Sequence, residues 1–229
     1  IEVTPGIKEM IATGRRAASS KLARRLGWMT RVHPIMTSEN RMMLGLYSDV
    51  FNCSLAAFTE DWGETWSFSY PILDPEAKYL ANIQPSFAMR KNGEIVAFMR
   101  DNGIPKYVRT ATSKDGGVSW SRLGMLKVRN PGTSMETIVL QSGRWLMVCN
   151  DTLDGRHIIS AYLSEDEGES WPYSRSFERY EKGGGSFSYP SVIQSKDGTI
   201  HATYSYSGAG IQGSSIKHVA FNEEWVLAD

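Results

Sequence analysis

One octapeptide pattern is written three times in this chain. It reads "TEDWGETW" from Thr59, "SKDGGVSW" from Ser113 and "SEDEGESW" from Ser164. The three aspartates, Asp61, Asp115 and Asp166, lie 54 and then 51 residues apart. A motif repeated at a fixed long period marks a repeat architecture, because each unit buries its apolar faces only against its neighbours. Each residue of the motif has a turn-building reason. A short acidic side chain accepts hydrogen bonds from turn amides, glycine takes a positive φ, and tryptophan is large enough to pack between units.

The same order of segments recurs around each motif. The second copy runs "QPSFAM", a "RKNGE" turn, "IVAFMR", a "DNGIPK" loop and "YVRTAT", and then reaches its motif. The third runs "METIVL", "QSGR", "WLMVCN", "DTLDGR" and "HIISAYL". The first runs "HPIMT", "SENR", "MMLGLY", "SDVFN" and "CSLAAF". A fourth runs "YPSVIQ", "SKDGT", "IHATYSY", "SGAGIQGSS" and "IKHVAF", and ends in "NEEW" where the motif would stand. Short β-branched and aromatic runs separated by glycine or asparagine turns read as antiparallel strands. Four strands at a period near 50 residues read as a propeller blade. The expectation is therefore an all-β chain, a β-propeller with four blades at about 28–70, 80–122, 130–173 and 186–226. Residues 1–27 fall outside the repeat. Their "IKEMIATGRRAASSKLARRLG" is basic and favours helix, so they are expected as a helical or irregular segment.

Composition narrows the partners. The 25 basic and 25 acidic residues balance, so no long-range field draws the chain to nucleic acid, and none is expected as a partner. No apolar run approaches the ~20 residues that span a membrane. Cys53 and Cys149 lie in different repeats and read as buried thiols. His157, His201 and His218 follow no metal-ligand spacing, so neither metal nor cofactor is expected. The opening "IEVTPGIKEM" carries no initiator Met and no signal-peptide pattern, which suggests a trimmed or partial chain.

Blade topology sorts the loops. Turns after strands one and three share one face, which takes the motif turns and the "KNG", "QSG" and "KDG" hairpins. The opposite face collects the starts of strand one and the loops after strand two, which are polar and do not repeat. Varied polar loops on a rigid scaffold are where sites are found. Candidates there are Arg31, His33, Asp49, Gln84, Arg100, Asp101, Glu136, Asp151, Arg156, Tyr189 and Tyr206. A guanidinium fork suits a carboxylate, so an anionic sugar is the natural ligand of Arg31, Arg100 or Arg156. Arg100 and Arg156 each stand near a carboxylate in sequence, and either one taken alone reads more readily as a structural ion-pair partner.

The motif Ser/Thr-x-Asp-x-Gly-x-x-Trp in propeller blades resembles the Asp-box, or BNR, repeat of the sialidase-like superfamily. The resemblance runs from about Arg31 to Trp225. It implies a ring of six or seven blades, so that further N-terminal blades or a partner chain would complete it. It implies a glycoside hydrolase-like enzyme that removes a terminal acidic sugar from a glycan, in a secreted or periplasmic setting. "SYPSVIQSKDGTIHATYS" resembles the segment that carries the nucleophilic tyrosine, and "METIVLQSGRW" the segment that carries its glutamate. By that resemblance Tyr189 attacks the anomeric carbon and Glu136 takes its proton. A tyrosine titrating near ~10 needs such a base at neutral pH. In the other reading Tyr189 is an aromatic wall and Glu136 its hydrogen-bond partner. Arg31, Arg100, Arg156, Asp101, Gln84, Asp49 and Tyr206 would bind substrate. The family's early "RIP"-type arginine motif and its aspartate general acid have no recognisable counterpart here; "RVHP" differs from the former.

A rival reading rests on His33. Some sialidase-like propellers resemble enzymes that separate rhamnose from glucuronate, as hydrolases or lyases, with a histidine acting while arginines hold the uronate. "GWMTRVHPI" sets Arg31 and His33 two apart, on one face if the segment is a strand. A histidine is a reasonable base near pH 7. A propeller that binds glycans without turnover is the third reading.

Overall fold

A computed structural model describes residues 5–21, 27–73, 82–103, 106–208 and 213–228. The chain divides into two compact units, one from Ile1–Gly103 with Arg109–Gly124 and the other from Ile104–Val108 with Met125–Asp229. Within the N-terminal stretch Pro5–Ser19 forms a helix, α1.

In the first unit the first sheet has β1 (Met29–Thr30), β2 (Ile35–Ser38), β3 (Arg41–Ser48), β4 (Cys53–Thr59) and β5 (Ser67–Phe68). Its order is β1-β3-β4-β5, with β2 also on β3, so two short pieces form the first strand. The second sheet is β6 (Asn82–Met89), β7 (Ile95–Asp101), β8 (Tyr107–Ser113) and β9 (Gly124–Arg129), in sequential order, of which Tyr107–Val108 and Met125–Arg129 are counted with the second unit. In the second unit β10 (Glu136–Val139), β11 (Trp145–Asn150), β12 (Ile158–Ser164) and β13 (Tyr173–Arg179) form one sequential sheet. β14 (Gly185–Gln194), β15 (Ile200–Gly208) and β16 (Ser215–Phe221) form the last. All recorded pairings are antiparallel, as hairpin turns between successive strands require. The all-β blade reading therefore holds.

The fourth repeat departs from the expected four strands. After β16 the chain forms a short helix, α2 (Glu223–Leu227). Asn222 caps it, its side-chain oxygen accepting from the Trp225 amide at 2.9 Å, and Glu223 and Glu224 fill the first turn. Both features favour a helix start over a strand. Trp225 then stacks on Phe177 of β13, with ring centres 5.1 Å apart and planes 4° from parallel.

The three motifs build one turn. The aspartate carboxylate accepts from the amide four residues on: Thr65 to Asp61 at 2.9 Å, Ser119 to Asp115 at 2.9 Å and Ser170 to Asp166 at 2.8 Å. The opening hydroxyl accepts from the glycine amide, at 2.7 Å from Gly63, 2.8 Å from Gly117 and 2.9 Å from Gly168. Gly117 has φ +87°, and a Cβ there would press on Met43 and Phe58 at about 3.1 Å, so both conformation and space call for glycine. The tryptophans divide. Trp120 stacks on Phe87, 5.4 Å between centres, against the core of the first unit. Trp66 and Trp171 instead donate their indole N–H to the carbonyls of Gly63 and Gly168, and Trp66 stays exposed.

Each unit has a core formed by the facing sides of its two sheets. Met43, Ala56 and Phe58 meet Phe87, Ile95, Ala97 and Met99 in the first. Leu146, Val148, Ile159, Ala161 and Leu163 meet Phe187, Val192, Ile200, Ala202 and Tyr204 in the second. Full burial of one such large side chain is worth about 1.5–3 kcal/mol.

Candidate functional site

The structure of the site starts from an irregularity in β14. Ser188 pairs with Ser205 and Ser191 with Thr203, so Tyr189 and Pro190 together oppose Tyr204. One extra residue in a strand is a β-bulge, a device that re-aims a side chain. Tyr189 adopts φ +55°, unusual for a bulky residue, and more so before proline. The residue is 43% exposed in a strand whose neighbours Phe187 and Val192 are buried. Tyr189 thus lies mid-strand rather than at the opening of the strand, where the sequence pattern puts it, and the bulge is what turns it outward.

Both sides of the bulge are anchored to the preceding sheet of the same unit. The Phe187 amide donates to the Arg156 carbonyl at 2.8 Å. The Asn150 side-chain amide donates to the Phe187 carbonyl at 3.0 Å. Beyond the bulge the Val192 amide donates to Glu136 Oε2 at 2.8 Å. Glu136 opens β10, as its sequence position suggests, and is 1% exposed. The guanidinium of Arg156, in the β11–β12 loop, lies over the Tyr189 ring at 5.4 Å. Tyr189, Arg156 and Glu136 are therefore gathered on one stretch of β14. Asn150 and the Val192 amide hold that stretch in place. Asn150 gave no signal in the sequence beyond ending an apolar strand.

Arg156 is not consumed by the carboxylate beside it in sequence. Asp154 pairs with Lys182 instead, and among the described residues no carboxylate forms an ion pair with Arg156. Tyr206 pairs with Phe187 across β14 and β15, the rings 5.2 Å apart. Its hydroxyl lies 3.3 Å from that of Tyr180, and Lys217 sits over its ring at 5.1 Å. The bond to Tyr180, then burial, pushes the Tyr206 hydroxyl up to about 12. Asp151 is a buried ion-pair partner of Arg129 at 2.8 Å, which fits a structural role.

The first unit repeats the bulge. Ile83 pairs with Arg100 and Ser86 with Phe98, leaving Gln84 and Pro85 opposite Met99. Gln84 has φ +57°. The carbonyl of Pro85 lies so close to Gly45 that a Cβ there would approach it to 2.6 Å, so the strands meet only because residue 45 is glycine. Arg100 donates to Asn102 Oδ1 at 2.7 Å and to Gln84 Oε1 at 3.3 Å. The neighbouring carboxylate, Asp101, pairs with Arg109 at 2.7 Å. Arg100 is thus held by amide oxygens, and Asp101 is a buried structural anion.

Arg31 and His33 do not share a strand. They fall in the break between β1 and β2, where four residues, 31–34, stand opposite Gly45 and Leu44. The alternation argument fails there because strand pairing is interrupted. His33 is exposed and Arg31 half-buried; Asp49 is exposed in the turn after β3. Among the described residues no group of three or more His, Cys, Asp and Glu is arranged to hold a metal ion, and no helix is long and apolar enough to cross a membrane.

Comparison with known proteins extends these observations. The model of the BNR repeat-like domain matches residues 20–202. No curated protein sequence matches the chain. Among solved structures the chain is similar to the intramolecular trans-sialidase from Ruminococcus gnavus in complex with oseltamivir carboxylate. The TM-score is 0.65 and the identity 19%, over 82% of this chain and 42% of that one. It is similar to the NanB sialidase of Streptococcus pneumoniae, with TM-score 0.67 and 16% identity over 83% and 30%. It is also similar to a polysaccharide lyase, a PL25 ulvan lyase bound to -[GlcA(1-4)Rha3S]-, with TM-score 0.58 and 14% identity over 86% and 53%. The chain thus spans between about a third and a half of the length of these structures. The likeness shows a shared sialidase-like propeller fold. With the family model covering most of its length, this chain belongs to the BNR repeat-like family.

Proposed function

We propose that this chain carries the acidic-sugar site of a carbohydrate-active propeller, and that its reaction is the hydrolytic removal of a terminal acidic sugar from a glycan. One observation carries the reading. A tyrosine is forced out of a strand by a bulge, with a guanidinium over its ring and a buried glutamate of β10 bonded to the amide three residues further along. Backbone strain of this kind costs about 1–3 kcal/mol and persists where the surroundings over-determine it. Tyr189 is the nucleophile and Glu136 the group that takes its proton. Arg156 holds the carboxylate of the sugar. An uncharged phenol suits that substrate, since an anionic nucleophile would be repelled by it. The test is product analysis by mass spectrometry after incubating the protein with a sialyl-oligosaccharide. Release of free sialic acid, lost in Tyr189→Phe, supports the reading. An intact glycan with unimpaired binding points to a propeller that binds without turnover.

The likeness to the ulvan lyase favours a second reading, action at a rhamnose–glucuronate linkage. His33, exposed before Pro34, is then the base, and Arg31 or Arg100 neutralises the uronate. An unsaturated uronate product from a rhamnosyl-glucuronate glycan, unaffected by Tyr189→Phe, would replace the first reading with this one.

A further inference from the structure

Asn150 closes β11 and is fully buried. Its side-chain amide donates twice, to the Ile158 carbonyl at 2.8 Å and to the Phe187 carbonyl at 3.0 Å. Two acceptors fix the orientation of the group, since only the nitrogen end of an amide can donate. The two carbonyls belong to the two elements that make the proposed acidic-sugar site. Ile158 opens β12 and ends the loop that carries Arg156. Phe187 precedes Tyr189 by two positions on β14.

Phe187 is pinned through both of its backbone groups. In an antiparallel strand a residue turns its N–H and C=O to the same side. Phe187 turns both towards the preceding sheet, the amide to the Arg156 carbonyl at 2.8 Å and the carbonyl to Asn150. The result is a closed circuit of three hydrogen bonds. They run from Phe187 to Arg156, from Asn150 to Phe187, and from Asn150 to Ile158, two residues past Arg156. Arg156 belongs to one side of this circuit and Tyr189 extends from the other, and their contact at 5.4 Å joins the two sides.

The fold does not require an amide at this position. The opening hydroxyl residues of the motifs, Thr59, Ser113 and Ser164, pair with Met42, Ile95 and Trp145. Five positions on, the same three strands carry Tyr47, Arg100 and Asn150. Three blades are thus built with three different residues there. Asn150 also keeps its own oxygen buried and without a hydrogen-bond partner among the described residues. A buried acceptor left unpaired is destabilising, so what Asn150 contributes lies in its two donors.

We propose that Asn150 is a positioning residue, holding the Arg156 loop against the bulge so that the guanidinium and the Tyr189 ring keep their spacing. Its functional meaning rests on the acidic-sugar reading; the spacing itself does not.

The experiment has one arm for geometry and one for function. Asn150→Leu keeps much of the side-chain volume and removes both donors. Asn150→Ala also removes both and leaves room for water at the two carbonyls, so it stands in if Asn150→Leu does not fold. In the first arm, NMR reads the ring-current shift that Tyr189 imposes on the Arg156 side-chain protons, defined by its loss in Tyr189→Leu. That shift should fall by about half or more in the Asn150 variants, as loss of a positioning contact requires. An unchanged shift in a folded variant overturns the proposal, whether or not the protein binds a sugar. In the second arm, calorimetry compares a sialyl-oligosaccharide with its neutral, desialylated counterpart. The variants should weaken binding of the first by about tenfold and of the second far less. In the Arg156→Ala background they should weaken it no further, because residues that act through one another are not additive. A loss that adds in full to that of Arg156→Ala, or that falls equally on both sugars, is a general structural effect and overturns the proposal. A shift that falls as expected in a protein with no preference for the sialylated sugar supports the positioning of Arg156 and removes the acidic-sugar reading instead.

Discussion

The guanidinium of Arg156 stands over the ring of Tyr189, its central carbon 5.4 Å from the ring centre. The two residues come from different sheets of one unit, and the contact exists because the bulge at Tyr189 and Pro190 turns the ring away from the core. In the proposed function that guanidinium holds the carboxylate of the sugar.

Tyr189→Phe keeps the ring and removes the oxygen. Loss of a covalent nucleophile should lower kcat by three orders of magnitude or more, with KM and Tm little changed because Tyr189 is already exposed. Single-turnover assay on a sialyl-oligosaccharide checks it, and near-normal turnover would remove Tyr189 from the mechanism.

Arg156→Ala should weaken binding of an acidic sugar by about tenfold or more, as expected for loss of a charge-assisted hydrogen bond worth about 1.5–3 kcal/mol. Binding of the matching neutral sugar should change far less. Equal losses for both, read by calorimetry, would leave no carboxylate clamp at this position.

Glu136 has a structural duty as well as a proposed chemical one, and two variants separate them. Glu136→Ala leaves the buried Val192 amide without its 2.8 Å acceptor and should cost about 1–3 kcal/mol of stability. Glu136→Gln keeps an acceptor oxygen and cannot take a proton. It should therefore retain most of the stability while losing turnover. Urea melts and kcat measured on the same preparations make the comparison.

The motif turns predict an acid-side loss of stability. Hydrogen bonds from Thr65 hold the Asp61 carboxyl down at about 2, and those from Ser119 do the same for Asp115. In the unfolded chain an aspartate titrates near ~3.9. Folding therefore favours the ionised form. The contribution is complete above the unfolded value and fades as pH falls towards 2. Denaturant melts between pH 6 and 2 should show this fall, and Asp115→Asn should flatten it. An unchanged slope in the variant would mean that the turn does not stabilise through its charge.

Burial raises the Cys53 thiol to about 11 and pushes the Cys149 thiol higher still. Reactivity belongs to the thiolate, so neither cysteine should be alkylated by iodoacetamide at neutral pH in the folded protein, and both should react in denaturant. Labelling followed by mass spectrometry decides it.

Much of the fold is visible in the chain because its causes are local. The alternation of strands, the turn glycines and the Ser/Thr-x-Asp-x-Gly-x-x-Trp turn each depend on residues no more than seven positions apart. The fourth repeat shows where reading by analogy fails. "NEEWVL" takes a helix because Asn222 caps it and Trp225 finds Phe177. The arrangement of the candidate residues was not legible in the sequence. Arg100 and Asp101 are adjacent, yet one is held by Gln84 and Asn102 and the other by Arg109. Arg31 and His33 are two apart, yet no continuous strand carries them.

The sequence by itself determined that this chain makes antiparallel blades, since a period near 50 residues with paired turns leaves few other ways to bury its apolar strands. It also named Tyr189, Glu136 and Arg156. Only the tertiary structure decided that Tyr189 turns outward under Arg156, that Glu136 is anchored on the Val192 amide, and that Asn150 bonds both Ile158 and Phe187. Each of these depends on strand register and on contacts between segments far apart in the chain, and register is set by packing across a sheet rather than by any local run of residues.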